Sequence, residues 1–180
     1  RAALSGRLVL ATIHARDAAG AVDALHYLGV PHHIIGSSLR LVIAQNLLRQ
    51  VCGQCAQPRE LDENETDVFA RLGMNAPKEL LHPGSCAECG WYGYKGRTGI
   101  FEVAPIDDEV GALISAGARH RELVERLRVK GIRSMTQDGL AKVAAGITTM
   151  EEIFRINAYA RSEEPTGQKD NAEPVEASVG

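Results

Sequence analysis

The chain has 180 residues, of which 44% are hydrophobic and 24% charged, and its formal net charge is −3 at pH 7. This composition is that of an ordinary globular protein with one or two domains. The acidic balance argues against a general nucleic-acid binder, because counterion release requires a basic surface. No apolar stretch reaches the length of a membrane span and no signal peptide precedes the first element, so we expect a cytoplasmic protein.

The first predicted element is a strand with polar residues at its end. Residues 8–13 (LVLATI) are almost wholly apolar, a pattern typical of a central strand covered on both faces. His14, Arg16 and Asp17 follow at its carboxyl end, where open α/β sheets bind ligands. From Asp17, a residue type that starts helices, apolar residues recur at helical spacing until Gly29-Val30-Pro31 ends the helix.

The next three segments differ in character. Residues 33–51 (HIIGSSLRLVIAQNLLRQV) place apolar residues on one side of a predicted helix. Residues 52–96 are rich in glycine, cysteine and polar residues around one predicted helix near residues 65–72, which indicates a loop-rich insertion. Residues 97–103 (RTGIFEV) are predicted to form a strand.

Beyond Pro105 we predict three or four short helices in a small bundle. Asp107 caps the first of these helices and Ser134 the third, while Thr149 and Glu152 have capping-box spacing for the last. Residues 161–180 hold five acids, two prolines and no aromatic residue, so they cannot bury enough apolar area to offset the entropy of ordering. We expect them to form a disordered acidic tail.

All four cysteines fall into two CxxC pairs, Cys52 with Cys55 and Cys86 with Cys89. Four thiolates at this spacing complete a tetrahedral structural zinc site with no open position. Thirty residues separate the pairs, but loop closure depends so weakly on length that zinc binding easily offsets the cost. The alternatives are four free thiols, a redox pair, disulfides, or a site that has lost its metal while keeping the thiols.

Other polar and aromatic groups have competing interpretations. Trp91, Tyr92 and Tyr94 are predicted to pack over the metal knuckle rather than stack on bases, because the flanking charge is too low for a nucleic-acid groove. The basic run 119–130 is predicted to be a solvated helix face, with docking of an acidic or membrane-proximal partner as the alternative. Four arginines are candidates for phosphate or subunit contacts, with surface ion pairs as the alternative: Arg16, Arg40, Arg49 and Arg97.

Four blocks of the sequence together point to a family. In order they are SGRLVLATIHARDA, SSLRLVIAQNLLRQVCGQC, CAECGWYGYKGRTGIFEVAPIDDEV and DGLAKVAAGITTMEEIFRI. They closely resemble the carboxyl-terminal part of the traffic ATPases that power type II secretion and type IV pilus assembly, from about residue 3 to residue 158. The resemblance implies a RecA-like P-loop core, assembly as a homo-hexamer, and ATP hydrolysis with Mg²⁺ between subunits.

The resemblance also implies partners, a location and site residues. The partners are an inner-membrane platform protein and associated cytoplasmic assembly proteins, so the protein would be cytoplasmic and peripherally associated with the inner membrane. No nucleic-acid partner and no membrane span are expected. His14 matches a family histidine that reaches toward the nucleotide phosphates, and Arg16 is a second candidate nucleotide contact. The four cysteines match the family's metal ligands.

Two departures from the family pattern concern the nucleotide site and a subunit boundary. The family usually has Thr-Asn where this chain has Ala15-Arg16, and Gln-Arg where it has Gln45-Asn46. The first departure lies directly after His14, so it changes the residues expected beside the nucleotide. The second removes a charge from a segment that is expected near a subunit boundary.

Neither nucleotide-binding motif of a P-loop ATPase is present. No Gly-Lys-Ser or Gly-Lys-Thr occurs, so there is no Walker A motif, and the nearest Walker B candidate, residues 100–108, is interrupted by Pro105. In the family both motifs precede the histidine. We therefore expect a carboxyl-terminal fragment of the ATPase that does not hydrolyse ATP alone.

This interpretation divides the chain into four parts. Residues 1–51 are the last part of the RecA-like core, 52–103 a zinc-binding tetracysteine subdomain that returns to a strand, 104–160 a helical subdomain, and 161–180 the tail. A non-catalytic, zinc-stabilised protein-interaction module is the main alternative. A zinc-ribbon nucleic-acid binder is disfavoured by the net charge of −3.

Overall fold

A computed structural model describes residues 3–162, and for residues 157–162 it describes the helix alone. Seven α-helices and four strands occur in this range. The helices are α1 (Ala18–Tyr27), α2 (His32–Ser38), α3 (Glu63–Arg71), α4 (Asp108–Ser115), α5 (His120–Val129), α6 (Met135–Ala144) and α7 (Met150–Ser162). The strands are β1 (Leu41–Val51), β2 (Gln57–Glu60), β3 (Glu79–His82) and β4 (Tyr94–Pro105). The prediction of an α/β fold is confirmed.

The strands form two antiparallel pairs. Strand β1 pairs with β4 in a register that sets Ile43 opposite Val103 and Leu48 opposite Thr98. The register shifts between Arg49 and Val51, one residue before the first cysteine. Strand β2 pairs separately with β3. The long β1–β4 pair therefore delivers both of its ends, Val51 and Tyr94, to the cysteine-bearing segments.

Apolar side chains are buried in two separate cores. Helices α1, α2, α4 and α5 enclose the first core together with the end of β4. Helices α3, α6 and α7 pack on the inner face of β1 and β4 to form the second, whose buried members are Leu48, Phe69, Leu80, Ile100, Leu140, Val143, Met150 and Ile153. Burying each such large side chain contributes about 1.5–3 kcal/mol. The four helices after Pro105 are thus divided between two cores, and the four-part division of the chain stays a prediction.

The predicted helix over residues 33–51 is wrong in its second half. Helix α2 ends at Ser38, and residues 41–51 form β1. The buried residues of β1 are Ala44, Leu48 and Val51. The four-residue spacing from Ala44 to Leu48 fits about one turn of a helix as well as two repeats of a strand, so the pattern did not distinguish the two. Hydrogen bonding to β4 decided the outcome, since residues 41–49 pair with 97–105 without interruption.

The predicted central strand over residues 8–13 is also wrong. These residues have no regular secondary structure, and Leu8 and Leu10 are 89% and 88% exposed. A strand is stabilised by hydrogen bonds to a neighbour, and within residues 3–162 no strand pairs with this segment. Apolar composition alone therefore did not produce a strand here.

Several predicted helix boundaries are confirmed. The Asp17 carboxylate accepts a hydrogen bond from the Gly20 amide at the start of α1, and Asp107 does the same for Val110 at the start of α4. Ser134 caps α6 in a reciprocal capping box with Gln137. Helix α3 lies where residues 65–72 predicted a helix.

Most of the predicted acidic tail, residues 163–180, lies outside the described residues. Its first two residues, 161 and 162, belong to α7.

Among the described helices, none has both the length and the apolar character needed to cross a membrane.

Candidate metal centre

The four cysteines converge on one point of the fold. All four Sγ atoms lie within 4.8 Å of one another. The measured separations are 3.9 Å between Cys52 and Cys86, 3.8 Å between Cys55 and Cys89, and 3.7 Å between Cys86 and Cys89. All four are free thiols. Among the described residues this is the one group of potential metal ligands that converges in this way.

These distances fit a tetrahedral sulfur site. Four sulfur ligands at the usual zinc–sulfur distance of about 2.3 Å stand about 3.8 Å apart along the edges of a tetrahedron. Three of the six Sγ–Sγ separations lie close to that value, and all six are within 4.8 Å. The set of donors is also the one that zinc prefers in structural sites. The cysteines are therefore positioned to bind a metal ion.

The first pair of cysteines is placed by the end of β1. Cys52 follows the last residue of that strand, and its amide donates to the Gly93 carbonyl at 2.9 Å, which ties it to the start of β4. The Cys52 carbonyl then accepts from the amides of Cys55 and Ala56 at 3.2 and 2.9 Å. This tight turn returns the second thiol toward the first.

The second pair lies on a short 3-10 turn, residues 87–89, between β3 and β4. The Cys89 sulfur accepts a hydrogen bond from the Gly93 amide at 3.2 Å. Gly84 lets the two CxxC segments approach, because a Cβ atom at that position would overlap the Cys55 carbonyl. The two CxxC segments are therefore in close backbone contact, in addition to the approach of their sulfur atoms.

The ionisation of the thiols reflects their crowding. Burial raises the pKa of Cys55 to about 12, helped by its contacts with the other cysteine sulfurs. Burial also acts to raise the pKa of Cys89, but hydrogen bonds at its sulfur outweigh it and lower the value to about 6. Four thiolates cannot share so small a volume without a cation, because like charges repel in a poorly solvated site. The site is therefore electrostatically suited to a divalent metal.

A buried ion pair anchors the strand that carries Cys52. The Glu152 carboxylate on α7 is fully buried and accepts from the Arg49 amide at 2.8 Å and from the Arg49 Nε and Nη2 atoms at 2.9 and 2.7 Å. Arg155 binds the same carboxylate. Although burial acts to raise the pKa of Glu152, hydrogen bonds from the two arginines lower it to about 2. For Arg49, the ion-pair alternative holds.

Three further contacts fasten β4 and the α6–α7 connection to the same place. The Arg49 guanidinium lies over the Tyr94 ring, 4.1 Å from its centroid, and the Tyr94 hydroxyl is 3.0 Å from the Thr149 hydroxyl. The Thr148 hydroxyl donates to the Arg49 carbonyl at 2.8 Å. The spacing of Thr149 and Glu152 predicted that a helix begins there. It gave no indication that the Thr149 side chain contacts β4 and the Glu152 side chain contacts β1.

The aromatic cluster is split. Tyr94 packs against Arg49, but Trp91 and Tyr92 are 70% and 80% exposed on the turn that follows Cys89. The prediction that all three aromatic residues pack over the metal knuckle is therefore wrong for these two. Gly90 and Trp91, both on this turn, have left-handed backbone angles.

His14 and Arg16, the predicted nucleotide contacts, are not part of the cysteine cluster. His14 is exposed in the irregular segment before α1, and the Arg16 guanidinium pairs with Asp17 at 3.8 Å. Asp17 also binds the His120 ring at 3.0 Å. Their roles toward a nucleotide stay predictions.

A buried carboxylate fixes the helix that follows these residues. Glu102 on β4 accepts from the Ala18 amide at 2.9 Å and from the Met135 amide at 3.4 Å, and so lies at the first residues of α1 and α6. Burial raises its pKa. The sequence gives no indication of this role for Glu102, because a lone acid in a predicted strand carries no signal of a contact 84 residues away.

Comparison with known proteins gives one family. Residues 1–155 match the family described as type II/IV secretion system protein. Over 156 residues the chain is 40% identical to the type II secretion system protein E of Dickeya dadantii, an alignment covering 87% of this chain and 30% of that protein. It is 39% identical over 160 residues to the type II secretion system ATPase E of Vibrio cholerae, covering 87% and 31%.

A pilus protein matches equally well. The chain is 40% identical over 157 residues to the type IV pilus assembly ATPase PilB of Thermus thermophilus, covering 85% of this chain and 17% of that protein. The chain thus spans less than a third of the length of these relatives. Secretion and pilus relatives match the same segment at the same level.

Proposed function

The chain belongs to the type II/IV secretion system protein family, and from that premise we propose that it is the carboxyl-terminal part of a hexameric cytoplasmic ATPase. The complete protein would hydrolyse ATP with Mg²⁺ to power type II secretion or type IV pilus assembly. It would act at the inner membrane through a platform protein and associated cytoplasmic assembly proteins. The chain's match to under a third of each relative supports the view that it forms part of a longer protein.

The convergence of the four cysteines carries the proposal for the metal. Cys52, Cys55, Cys86 and Cys89 would hold a structural Zn²⁺. Their six sulfur separations, all within 4.8 Å and three of them 3.7–3.9 Å, support this. A zinc with four protein ligands has no position open to substrate, so it supplies folding free energy rather than catalysis. The cysteines would fasten the β1–β4 pair to the segment between them.

His14 and Arg16 would contact the nucleotide from the end of a RecA-like core. Both residues lie on the exposed segment that precedes α1, where a ligand can reach them. Phosphate binding by a P-loop requires the G-x-x-x-x-G-K-[ST] motif, which this chain lacks. We therefore infer that the chain alone does not hydrolyse ATP and that His14 acts only beside a phosphate-binding loop on the complete protein.

One assay tests the assignments that concern the nucleotide. Steady-state phosphate release is measured for the 180-residue chain and for the complete protein, the latter with and without His14→Ala. The chain should show no activity above background, the complete protein should be active, and His14→Ala should lower its kcat at least tenfold. The proposal fails if the complete protein shows no ATPase activity, and the role of His14 fails if the variant retains full kcat.

The second candidate function is a non-catalytic, zinc-stabilised interaction module. The closed four-cysteine site and the exposed Trp91 and Tyr92 side chains beside it favour this candidate, because neither feature needs a nucleotide. Labelling of the complete protein by a photoreactive ATP analogue distinguishes the two functions. Labelling that ATP competes away supports the ATPase, and absence of labelling supports the module.

A further inference from the structure

Two carboxylates and an imidazole meet where three helices begin. Asp17 directly precedes α1, and His120 is the first residue of α5. Glu102 lies on β4, and its oxygens accept hydrogen bonds from the first amides of α1 and α6. We call Asp17, Glu102 and His120 the helix-start junction. None of the three belongs to the cysteine cluster or to the predicted nucleotide contacts.

The Asp17 side chain makes one contact more than helix capping requires. Its carboxylate accepts from the Gly20 amide at 2.7 Å, and this bond is sufficient to cap α1. The His120 Nε2 atom also lies 3.0 and 3.1 Å from its two oxygens. An ionised carboxylate only accepts hydrogen bonds, so Nε2 carries the proton in this contact. His120, 103 positions away, therefore ties the residue before α1 to the start of α5.

The position of His120 does not favour α5 itself. The positive end of a helix dipole lies at its first turn, where a protonated imidazole is disfavoured. The start of α5 already has its own cap, since the Glu122 carboxylate accepts from the Arg119 amide at 2.8 Å. The imidazole thus contributes little to its own helix and acts on Asp17 instead.

Glu102 holds the next residue of the same segment from the opposite side. Its carboxylate accepts from the Ala18 amide at 2.9 Å and from the Met135 amide at 3.4 Å. Burial raises the pKa of Glu102, and the charge of nearby Asp17 raises it further. A buried carboxylate beside a second one is an expensive way to satisfy two amides. The chain is nevertheless fixed at two consecutive residues, Asp17 by α5 and Ala18 by β4.

This fixed point lies three residues after His14. An extended chain spans about 3.5 Å per residue, so His14 stays within about 10 Å of Asp17. The Arg16 guanidinium lies 3.8 Å from the Asp17 carboxylate. Ala15 lies beside the first turn of α1, because a Cβ atom at Gly20 would stand 4.0 Å from the Ala15 Cβ. The junction therefore sets the direction in which the preceding segment leaves α1.

We propose that the helix-start junction positions His14 toward the nucleotide, with His120 and Glu102 as positioning residues that hold Asp17 and Ala18. This inference rests on the proposed function, which supplies the nucleotide and the role of His14. His120 and Glu102 touch no substrate and act only through the segment that they hold. A displacement of about 1 Å at a reacting group can lower a rate by about a hundredfold, so the effect falls on kcat.

The first measurement concerns the order of the segment in the 180-residue chain. The ¹⁵N relaxation order parameter of the Arg16 amide should be about 0.85 in the parent chain and below about 0.6 in His120→Ala. His120→Gln keeps a side-chain N–H donor for Asp17 and should keep the parent value. The matched control is His82→Ala, which removes an imidazole 3.0 Å from the Glu151 carboxylate and should leave Arg16 ordered.

The second measurement is steady-state ATP hydrolysis by the complete protein. His120→Ala should lower kcat by about threefold to tenfold and change the KM for ATP by less than about twofold, whereas His120→Gln should resemble the parent. In a His14→Ala background, His120→Ala should lower kcat no further, because a positioning residue acts through the group it positions. The Tm of His120→Ala should stay within a few degrees of the parent, since partly exposed ion pairs contribute little to stability.

Four outcomes contradict the inference and can be told apart. An Arg16 amide that stays ordered in His120→Ala shows that the junction does not hold the segment, and leaves the proposed function intact. Full kcat in His120→Ala overturns the positioning role in the same way. An equal fall of kcat with and without His14 gives His120 an independent role and overturns positioning. Absence of ATP hydrolysis by the complete parent protein overturns the proposed function, and this inference with it.

Discussion

The buried Glu152 carboxylate at the start of α7 binds both the backbone amide and the guanidinium of Arg49 near the end of β1. The two residues are 103 positions apart, and the contact lies three residues before Cys52. It joins the helix that closes the second core to the strand that leads to the first cysteine of the candidate metal centre. The stability of the cysteine site and the docking of α7 are therefore coupled.

Removing this carboxylate should destabilise the protein. Glu152→Ala leaves the Arg49 amide without its partner and should lower the free energy of unfolding by about 2 kcal/mol. Urea unfolding followed by circular dichroism measures the change. Glu125→Ala is the matched control, because Glu125 is exposed and its nearest partner, Arg128, is 4.0 Å away. If both variants unfold at the same urea concentration, the Glu152 contact contributes nothing.

The same pair predicts an acid-sensitive stability. The folded-state pKa of Glu152 is lowered to about 2 from an ordinary value of 4.5. A depressed carboxyl pKa stabilises the fold above the unfolded value, and this contribution is lost as the pH falls from 4.5 toward 2. The free energy of unfolding of the parent chain should fall across this window, and that of Glu152→Gln should fall less steeply. Parallel pH profiles for the two proteins would contradict the assignment.

Loss of one sulfur should release the metal. Cys86→Ser should lower the zinc content, measured by mass spectrometry, from one ion per chain toward zero and reduce the Tm by several degrees. The parent chain should also lose zinc as the pH falls, since protons compete with the metal for the thiolates. Ser85→Ala changes the adjacent residue without removing a ligand and should retain the ion. Full zinc occupancy in Cys86→Ser would refute the four-sulfur site.

Two glycines close to the cysteines should respond differently to alanine. A methyl group at Gly84 would overlap the Cys55 carbonyl, so Gly84→Ala should push the two CxxC segments apart and weaken zinc binding. At Gly53 nothing lies within 4 Å of the Cβ position, so Gly53→Ala should bind zinc normally. Competition with a colorimetric chelator measures both affinities. Equal affinities would mean that the close approach at Gly84 does not matter for the site.

The buried Glu102 should tolerate an amide better than a methyl group. Glu102→Ala leaves the Ala18 amide unsatisfied and should cost about 2 kcal/mol, whereas Glu102→Gln keeps an acceptor for it and should cost less than about 1 kcal/mol at pH 7. The reason is that burial raises the pKa of Glu102, so its ionised form opposes folding as the pH rises. Chemical unfolding of both variants measures the difference. Equal losses would show that the negative charge, not the hydrogen bond, is what matters.

Local chemistry explains what sequence reasoning predicted correctly. Asp17, Asp107 and Ser134 cap helices where their residue types indicated, because a cap depends on amides only three residues away. The CxxC spacing predicted the converging sulfurs for a similar reason, since each pair is built by one short turn. The two pairs then meet in one site where backbone contacts such as that from the Cys52 amide to the Gly93 carbonyl join their segments.

Errors arose where the outcome depended on a distant partner. Residues 8–13 and 41–51 are both apolar runs, but only the second meets a strand with which to pair, so only the second is a strand. The contact between Arg49 and Glu152 and the placement of Glu102 at two helix starts were likewise absent from any local pattern.

By itself, the sequence determined the family resemblance, the capped helices and the candidate metal ligands of this protein, because these depend on residue identity and short-range spacing. Only the tertiary structure decided which apolar run became a strand, which carboxylates were buried, and that Trp91 and Tyr92 face solvent. Those outcomes depend on hydrogen-bond partners and excluded water supplied by residues far away in the chain, and the free energy of such contacts exists only once the chain has folded.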